Sequence, residues 1–318
     1  MGQNNKATKH TTPSLRRVGE GLQANLNSSP RGGQEGAATS SPLSLGEGSG
    51  VRLSPPLGEV GRGLPLTLIK VGGAVVEDPA ATDLLLAQFS AIEGRKVLVH
   101  GGGRRATAVA SRLGIESRMV NGRRITDRET LDVVTMVYGG LVNKNLVARL
   151  QALGVNALGL TGADVDVIRS HKRPVKDVDY GFVGDVDRAD GDRLGMLIEA
   201  GITPVMAPLT HDGQGNLLNT NADTIAGETA KALAAHYDVT LVYCFEKKGV
   251  LSNPDDDDSV IPVITRADFA RLTADGTISG GMLPKLENAF RSIDAGVRRV
   301  IITRADDING TQGTLIKD

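Results

Sequence analysis

Residues 97–114 read VLVHGGGRRATAVASRLG. The apolar run Val97-Leu98-Val99 ends in His100 and three consecutive glycines. Ala106, Val109, Ala110 and Leu113 then recur at helical spacing. A strand that enters a helix through bare backbone suits an anion, because the free N–H groups of the turn and of the first helical turn converge. The stretch predicts a strand–loop–helix unit of an α/β protein. It leaves open what Gly101, Gly102 and Gly103 hold: a dinucleotide, a nucleoside triphosphate or another anion.

The same alternation extends in both directions. Strands are expected over 66–71, 96–100, 158–160, 204–207, 239–244, 300–303 and 314–317. Helices are expected over 82–92, 104–113, 223–235 and 286–295, the last with Leu286, Ala289, Phe290 and Ile293 on one face. Another helix is expected to start at Thr126, through a capping box with Glu129. Alternation of this kind predicts a mainly parallel sheet covered by helices on both faces, with ligands at the carboxyl ends of its strands.

Residues 1–64 differ from the rest. They are rich in Gly, Ser, Pro, Asn and Gln, and contain one imperfect duplication, SPLSLGEG (41–48) and SPPLGEVG (54–61). They lack the apolar density that offsets ordering entropy, so a disordered low-complexity tail is expected. No apolar core of a signal peptide follows the basic residues, and acidic residues and glycines argue against a transit peptide. A start codon assigned too far upstream is the competing explanation of the tail.

Composition narrows the function classes. The chain has 318 residues and a formal net charge of -1, which gives no electrostatic case for nucleic acid. No apolar run approaches a membrane span, so no membrane partner is expected. Cys244 is the single cysteine and lies in an apolar run, which excludes an intrachain disulfide framework and suits a buried thiol in a reducing, cytoplasmic setting. Forty glycines beside 3% aromatics fit a glycine-rich α/β enzyme.

Four segments at expected strand ends and helix starts carry the unusual residues. They are Lys70-Val71-Gly72-Gly73, His100 to Gly103, Asn219-Thr220-Asn221-Ala222-Asp223, and Ser279 to Lys285, where Pro284 suits a first helical turn. A dinucleotide fingerprint needs a third glycine where Ala106 stands, and neither a Walker A loop nor protein-kinase signatures occur. Phosphoryl transfer needs positioning and cationic stabilisation of a spreading negative charge. Lysines on both sides of the reacting centre, backbone N–H groups from glycine loops and an aspartate between the ammonium groups would supply it.

Lys70-x-Gly-Gly, His-Gly-Gly-Gly (100–103), Asn-Gly-Arg-Arg-Ile-Thr-Asp (121–127), Asn219-x-Asn221-Ala-Asp223 and Gly281-Met282-x-x-Lys285 resemble, in this order, the N-acetyl-L-glutamate kinase family of the amino-acid kinase superfamily. The resemblance runs from about residue 66 to the C-terminus and implies a three-layer αβα sandwich with a mainly parallel open sheet. It implies an acyl-glutamate lobe over 65–238 and an ATP lobe over 239–318, with the γ-phosphoryl of ATP moving to the side-chain carboxylate. It further implies that Lys70 and Lys285 stabilise the moving group, that Asp223 aligns them, and that Gly73 and Gly103 donate backbone hydrogen bonds. Gly102, Gly103, Arg124, Asn219 and Asn221 would hold the substrate, Arg124 by taking its α-carboxylate bidentately. Gly72, Glu246, Lys248, Gly249, Gly281 and Met282 would hold the nucleotide, and Mg²⁺ would be carried mostly by ATP phosphates and water. A carboxylate nucleophile is already ionised at neutral pH, so His100 is read as structural rather than as a base.

The chain departs from the family in the nucleotide lobe. CFEKKGVL (244–251) carries Glu246 where the family has aspartate, and Lys247 and Lys248 are extra, facing either ATP phosphates or solvent. The acidic run 255–258 is expected to be a solvated turn. The segment also resembles the branch found in bacteria whose arginine pathway uses N-succinyl intermediates. N-succinyl-L-glutamate is therefore the alternative substrate, with Arg104, Arg105 and Arg123 as candidate partners of its extra carboxylate. Another superfamily kinase, an amino-acid sensor without catalysis and a dinucleotide oxidoreductase are the remaining alternatives. Without an amphipathic N-terminal helix, a homodimer lacking arginine inhibition is expected.

Overall fold

The computed structural model describes residues 63–120 and 122–318. The expected disordered tail falls, except for its last two residues, outside the described residues, as does Asn121 of the Asn-Gly-Arg-Arg motif.

Strand β1 (Pro65–Val71) is followed by a short helix α1 (Gly73–Glu77), helix α2 (Pro79–Ser90), strand β2 (Arg95–His100) and helix α3 (Gly103–Arg112). The ribbon β3 (Met119–Val120) and β4 (Arg123–Arg124) leads into α4 (Arg128–Val134), a π-helical segment Thr135–Val142, and α5 (Asn143–Ala152). Next come β5 (Ala157–Leu160), β6 (Ile168–Lys172), β7 (Gly184–Ala189), α6 (Gly191–Glu199), β8 (Thr203–Met206), β9 (Leu209–His211), β10 (Leu217–Asn219) and α7 (Ala222–Ala234). The chain closes with β11 (Asp238–Phe245), β12 (Val263–Ile264), α8 (Arg266–Ala274), α9 (Met282–Asp294), β13 (Arg299–Arg304) and β14 (Thr314–Ile316).

Eight of these strands form one sheet in the order β12-β14-β13-β11-β1-β2-β8-β5. Every neighbouring pair is parallel except β13–β14. Alternate side chains enter two different cores. Leu66, Leu68, Val97 and Leu241 pack under α6, α7 and α9, whereas Ile69, Val71, Leu98 and Val242 pack under α2 to α5. Burial on both faces is why these strands are continuous apolar runs, and the result is the expected αβα three-layer arrangement. Chain order reverses beside β1: β2, β8 and β5 lie on one side, and β11, β13, β14 and β12 on the other. A crevice opens at such a reversal, at the carboxyl ends of the strands.

Three details differ from the sequence expectation. The capping box at Thr126 does not form. Asp127 caps α4 by accepting from the Thr130 N–H at 2.8 Å, while the Thr126 hydroxyl donates to the Arg124 carbonyl and its backbone bridges Gly181. Helix α2 starts earlier than residue 82, because Asp78 caps it and Pro79 opens its first turn. A second sheet, β10-β9-β6-β7, covers the region between β5 and α7.

Candidate active site

The centre is assembled from the ends of β1, β2 and β11 and the starts of α7 and α9. Lys70, next to last on β1, is nearly buried, and its Nζ lies 2.7 Å from Asp223 Oδ1. The contact falls outside hydrogen-bond angles, so it is an ion pair and Oδ1 has no hydrogen-bond donor. Asp223 sits in the first turn of α7, where the free N–H groups favour a carboxylate, and Asn221 caps that turn by accepting from Asp223 and Thr224 N–H at 2.8 and 3.2 Å. From below, the Tyr243 hydroxyl donates to the Asp223 carbonyl at 3.3 Å.

Lys285 enters from α9, one residue after Pro284 in the first turn. Its Nζ lies 3.6 Å from the centroid of the Phe245 ring, which also stands 5.3 Å from Lys70 Nζ. Phe245 ends β11 and stacks on Tyr243 at 6.0 Å. An ammonium over an aromatic face is attracted by the ring quadrupole. Burial lowers the Lys285 pKa from the ordinary lysine range, Asp223 opposes that shift, and Lys70 adds to it.

The two glycine loops pack on each other. A Cβ on Gly101 would lie 2.9 Å from the Gly73 nitrogen, and one on Gly73 would lie 3.3 Å from the nitrogens of both Gly102 and Gly103. Side chains are absent here because backbone meets backbone. His100 anchors the loop base: its Nδ1 lies 2.8 Å from the Gly101 carbonyl and its Nε2 3.1 Å from Asn143 Nδ2. Burial pulls its pKa down to about 4, so the ring is neutral. Burial likewise pushes the Cys244 thiol up to about 12.

Two cavities meet at Gly103. The first, of about 190 Å³, is lined by Gly102, Gly103, Arg124, Asn219 and Asn221, together with Tyr138. Arg124 donates to the Gly103 carbonyl at 2.8 Å, to Thr107 Oγ1 at 2.8 Å and to Ser117 Oγ at 2.7 Å, and so clamps the loop from the side of this cavity. Asn219 Nδ2 donates to Thr126 Oγ1 at 2.9 Å, which explains why that threonine is not a cap. The second cavity, of about 490 Å³, is lined by Gly72, Gly73, Phe245, Glu246, Gly249, Met282 and Lys285. Arg104 and Glu246 pair across its rim at 2.9 Å, both exposed.

Of the residues expected at the nucleotide, Lys248 and Gly281 line neither cavity. Lys248 pairs with Asp258 and Lys247 with Asp257, and Gly281 is the residue preceding α9. Phe245 and Tyr138 were not singled out by sequence. Tyr138 sits within an apolar segment and Phe245 ends one, and an aromatic residue in an apolar run carries no signal that separates a site wall from core.

Residues 65–304 match the model of the amino acid kinase family. The chain is 71% identical over 252 residues to an acetylglutamate kinase of Bacteroides thetaiotaomicron, spanning 79% of this chain and 98% of that protein. It is 66% identical over 251 residues to an acetylglutamate kinase of Parabacteroides distasonis, spanning 79% and 98%. Among solved structures, a Streptococcus mutans protein superposes with a TM-score of 0.66 at 30% identity, covering 79% of this chain and 98% of that one.

Proposed function

Because the chain belongs to the amino acid kinase family, we propose that it moves the γ-phosphoryl group of ATP onto the side-chain carboxylate of N-acetyl-L-glutamate, a step of arginine biosynthesis. The observation that carries the reading is the junction of two cavities at Gly103, the second of them lined by Lys285 and by the Phe245 ring that Lys285 shares with Lys70, the partner of Asp223. The succinyl alternative is not favoured by relatives at 66% and 71% identity that are both acetylglutamate kinases.

In this reading the acyl-glutamate occupies the cavity of Arg124 and Asn219, and the nucleotide the cavity of Gly249 and Met282, which divides the chain into a substrate lobe (65–238) and an ATP lobe (239–318). A carboxylate oxygen attacks the γ-phosphorus, a new O–P bond forms, and the bond to the β,γ-bridging oxygen breaks with its electron pair leaving on ADP. The nucleophile is already ionised, so no proton is transferred. Lys70 and Lys285 take up the charge that spreads over the phosphoryl oxygens, and the Gly73 and Gly103 N–H groups fix its position. Asp223 keeps the two ammonium groups from splaying apart. Mg²⁺ would be carried mostly by the ATP phosphates and water.

No helix among the described residues is long and apolar enough to cross a membrane. We place the enzyme in the cytoplasm, as the single buried thiol suits, and as a homodimer. Strand β5 is the outer edge of the sheet and exposes Leu158, and Met136 and Leu141 are exposed on the helical segment that continues into α5 beside it. An unpaired apolar sheet edge is suited to covering by a second copy.

The test is ADP release with N-acetyl-L-glutamate and N-succinyl-L-glutamate as paired substrates. Turnover strongly preferring the acetyl compound is the expected result. ADP formation from neither would overturn the kinase reading.

A further inference from the structure

The substrate cavity contains a phenol to which the motifs give no role. Tyr138 lies in the middle of the π-helical segment Thr135–Val142. Such segments rotate the residues around them relative to an α-helix and recur at functional sites. Here Tyr138 faces the glycine loop while Asn143, just past the segment, reaches His100. The Tyr138 ring packs on bare backbone: a Cβ on Gly102 would lie 3.0 Å from its Cδ1. Its hydroxyl lies near Gly103, since a Cβ there would stand 4.0 Å from both Tyr138 Oη and Arg124 Nη2. Burial raises the phenol pKa, and the nearby Arg124 charge only partly opposes this, so the group is a neutral O–H.

Arg124 Nη2 and the phenol oxygen both stand over Gly103, and a guanidinium can only donate. The phenol has one proton to donate, and Arg124 cannot accept it. Arg124 also spends three N–H bonds inside the protein, on Gly103, Thr107 and Ser117. A guanidinium has about five N–H donors and a carboxylate about four acceptor sites, so Arg124 alone leaves a bound carboxylate under-satisfied.

Building on the acyl-glutamate reading, we propose that Tyr138 contacts the substrate, its O–H donating to the α-carboxylate that Arg124 receives. The contact sets how far the side-chain carboxylate reaches toward Gly103.

Tyr138→Phe keeps the ring against Gly102 and removes only the O–H. It is expected to lower kcat/KM for N-acetyl-L-glutamate by about ten- to a hundredfold, mostly through KM, with KM for ATP and the melting temperature unchanged. The α-amide of N-acetyl-L-glutamate, assayed on both proteins, isolates the partner. If the hydroxyl serves the α-carboxylate, the losses from substitution and from amidation do not multiply. Losses that multiply fully, or a Tyr138→Phe enzyme with wild-type KM, would sink the inference while leaving the kinase reading intact. A wild-type chain that neither binds nor phosphorylates an acyl-glutamate would remove both.

Discussion

Replacing Asp223 by Asn tests the electrostatic centre most directly. The carboxylate lies 2.7 Å from Lys70 Nζ, and the side-chain exposures are 8% for Lys70 and 24% for Asp223. At an effective dielectric of about 20, unit charges at that distance attract by about 6 kcal/mol, and the desolvation of two partly buried ions offsets much of it. A net loss of about 2 kcal/mol is expected for Asp223→Asn, lowering Tm by about 4–8 °C in a domain of this size. The catalytic effect is larger than the stability effect. Without the carboxylate, Lys70 and Lys285 repel across the phosphoryl site, and misplacement of a catalytic group by about 1 Å costs about a hundredfold. The assay is steady-state ADP release with both substrates saturating, together with thermal melts of the same preparations. The expected result is a kcat lower by about a hundredfold or more, with KM for N-acetyl-L-glutamate little changed. An Asp223→Asn enzyme with near-wild-type kcat and a lowered Tm would refute the reasoning, because the aspartate would then only support the fold.

Substitutions at three further positions probe the surroundings. His100 has a folded pKa of about 4, against about 6.5 unfolded, so the unfolded state binds the extra proton between those values. Stability is therefore expected to fall by about 3 kcal/mol as pH drops through that window, and His100→Gln to flatten the slope in urea titrations; a wild-type slope retained by the variant would assign it to other groups. Phe245→Leu removes a ring–ammonium contact of about 0.5–2 kcal/mol and is expected to lower kcat by about tenfold, with Phe245→Tyr close to wild type, in the same ADP assay. Equal kcat for Leu and Phe at this position would exclude the ring from holding Lys285. Gly101→Ala places a Cβ 2.9 Å from the Gly73 nitrogen, where neither backbone can yield, and is expected to cost about 1–3 kcal/mol in urea denaturation; a wild-type midpoint would mean the loops are free to part.

Legibility in the sequence followed the kind of signal each element carries. Buried parallel strands such as LTLIKV and VTLVYC are mostly apolar, broken only by Thr67, Lys70 and Thr240, and the glycine loops that end β1 and β2 mark where those runs stop. Strands β6 (IRSHK) and β7 (GDVDRA) escaped detection because charged residues dominate them. Strands β9 and β10 are three residues each, too short for any period to show. Capping was misassigned at Thr126 because Thr126 and the neighbouring Asp127 are both good caps, and only the demand of Asn219 on the threonine hydroxyl decides between them. The π-helical segment has no local signature, since its TMVYGGLV reads equally as core helix. Tyr138 was invisible for that reason.

The two cations of the centre are held by different means, and the difference suits their proposed tasks. Lys70 projects from the middle of the sheet, almost without solvent, against a carboxylate at a helix N-terminus. Three constraints fix it: strand, burial and ion pair. Lys285 instead stands on the first turn of α9, and its ammonium rests on the Phe245 ring, which also lines the nucleotide cavity. A ring face attracts a cation by only about 0.5–2 kcal/mol, whereas a carboxylate would neutralise it outright. The ring therefore holds the lysine near the reacting centre without consuming the charge that the chemistry requires. Phosphate oxygens, each a stronger partner than an aromatic face, can draw Lys285 off Phe245 as the nucleotide arrives. In the proposed reaction one ammonium would thus be a fixed wall against which the phosphoryl group is positioned, and the other a counter-charge released to follow it. A second carboxylate in place of Phe245 would hold Lys285 more tightly and leave less positive charge for the transition state.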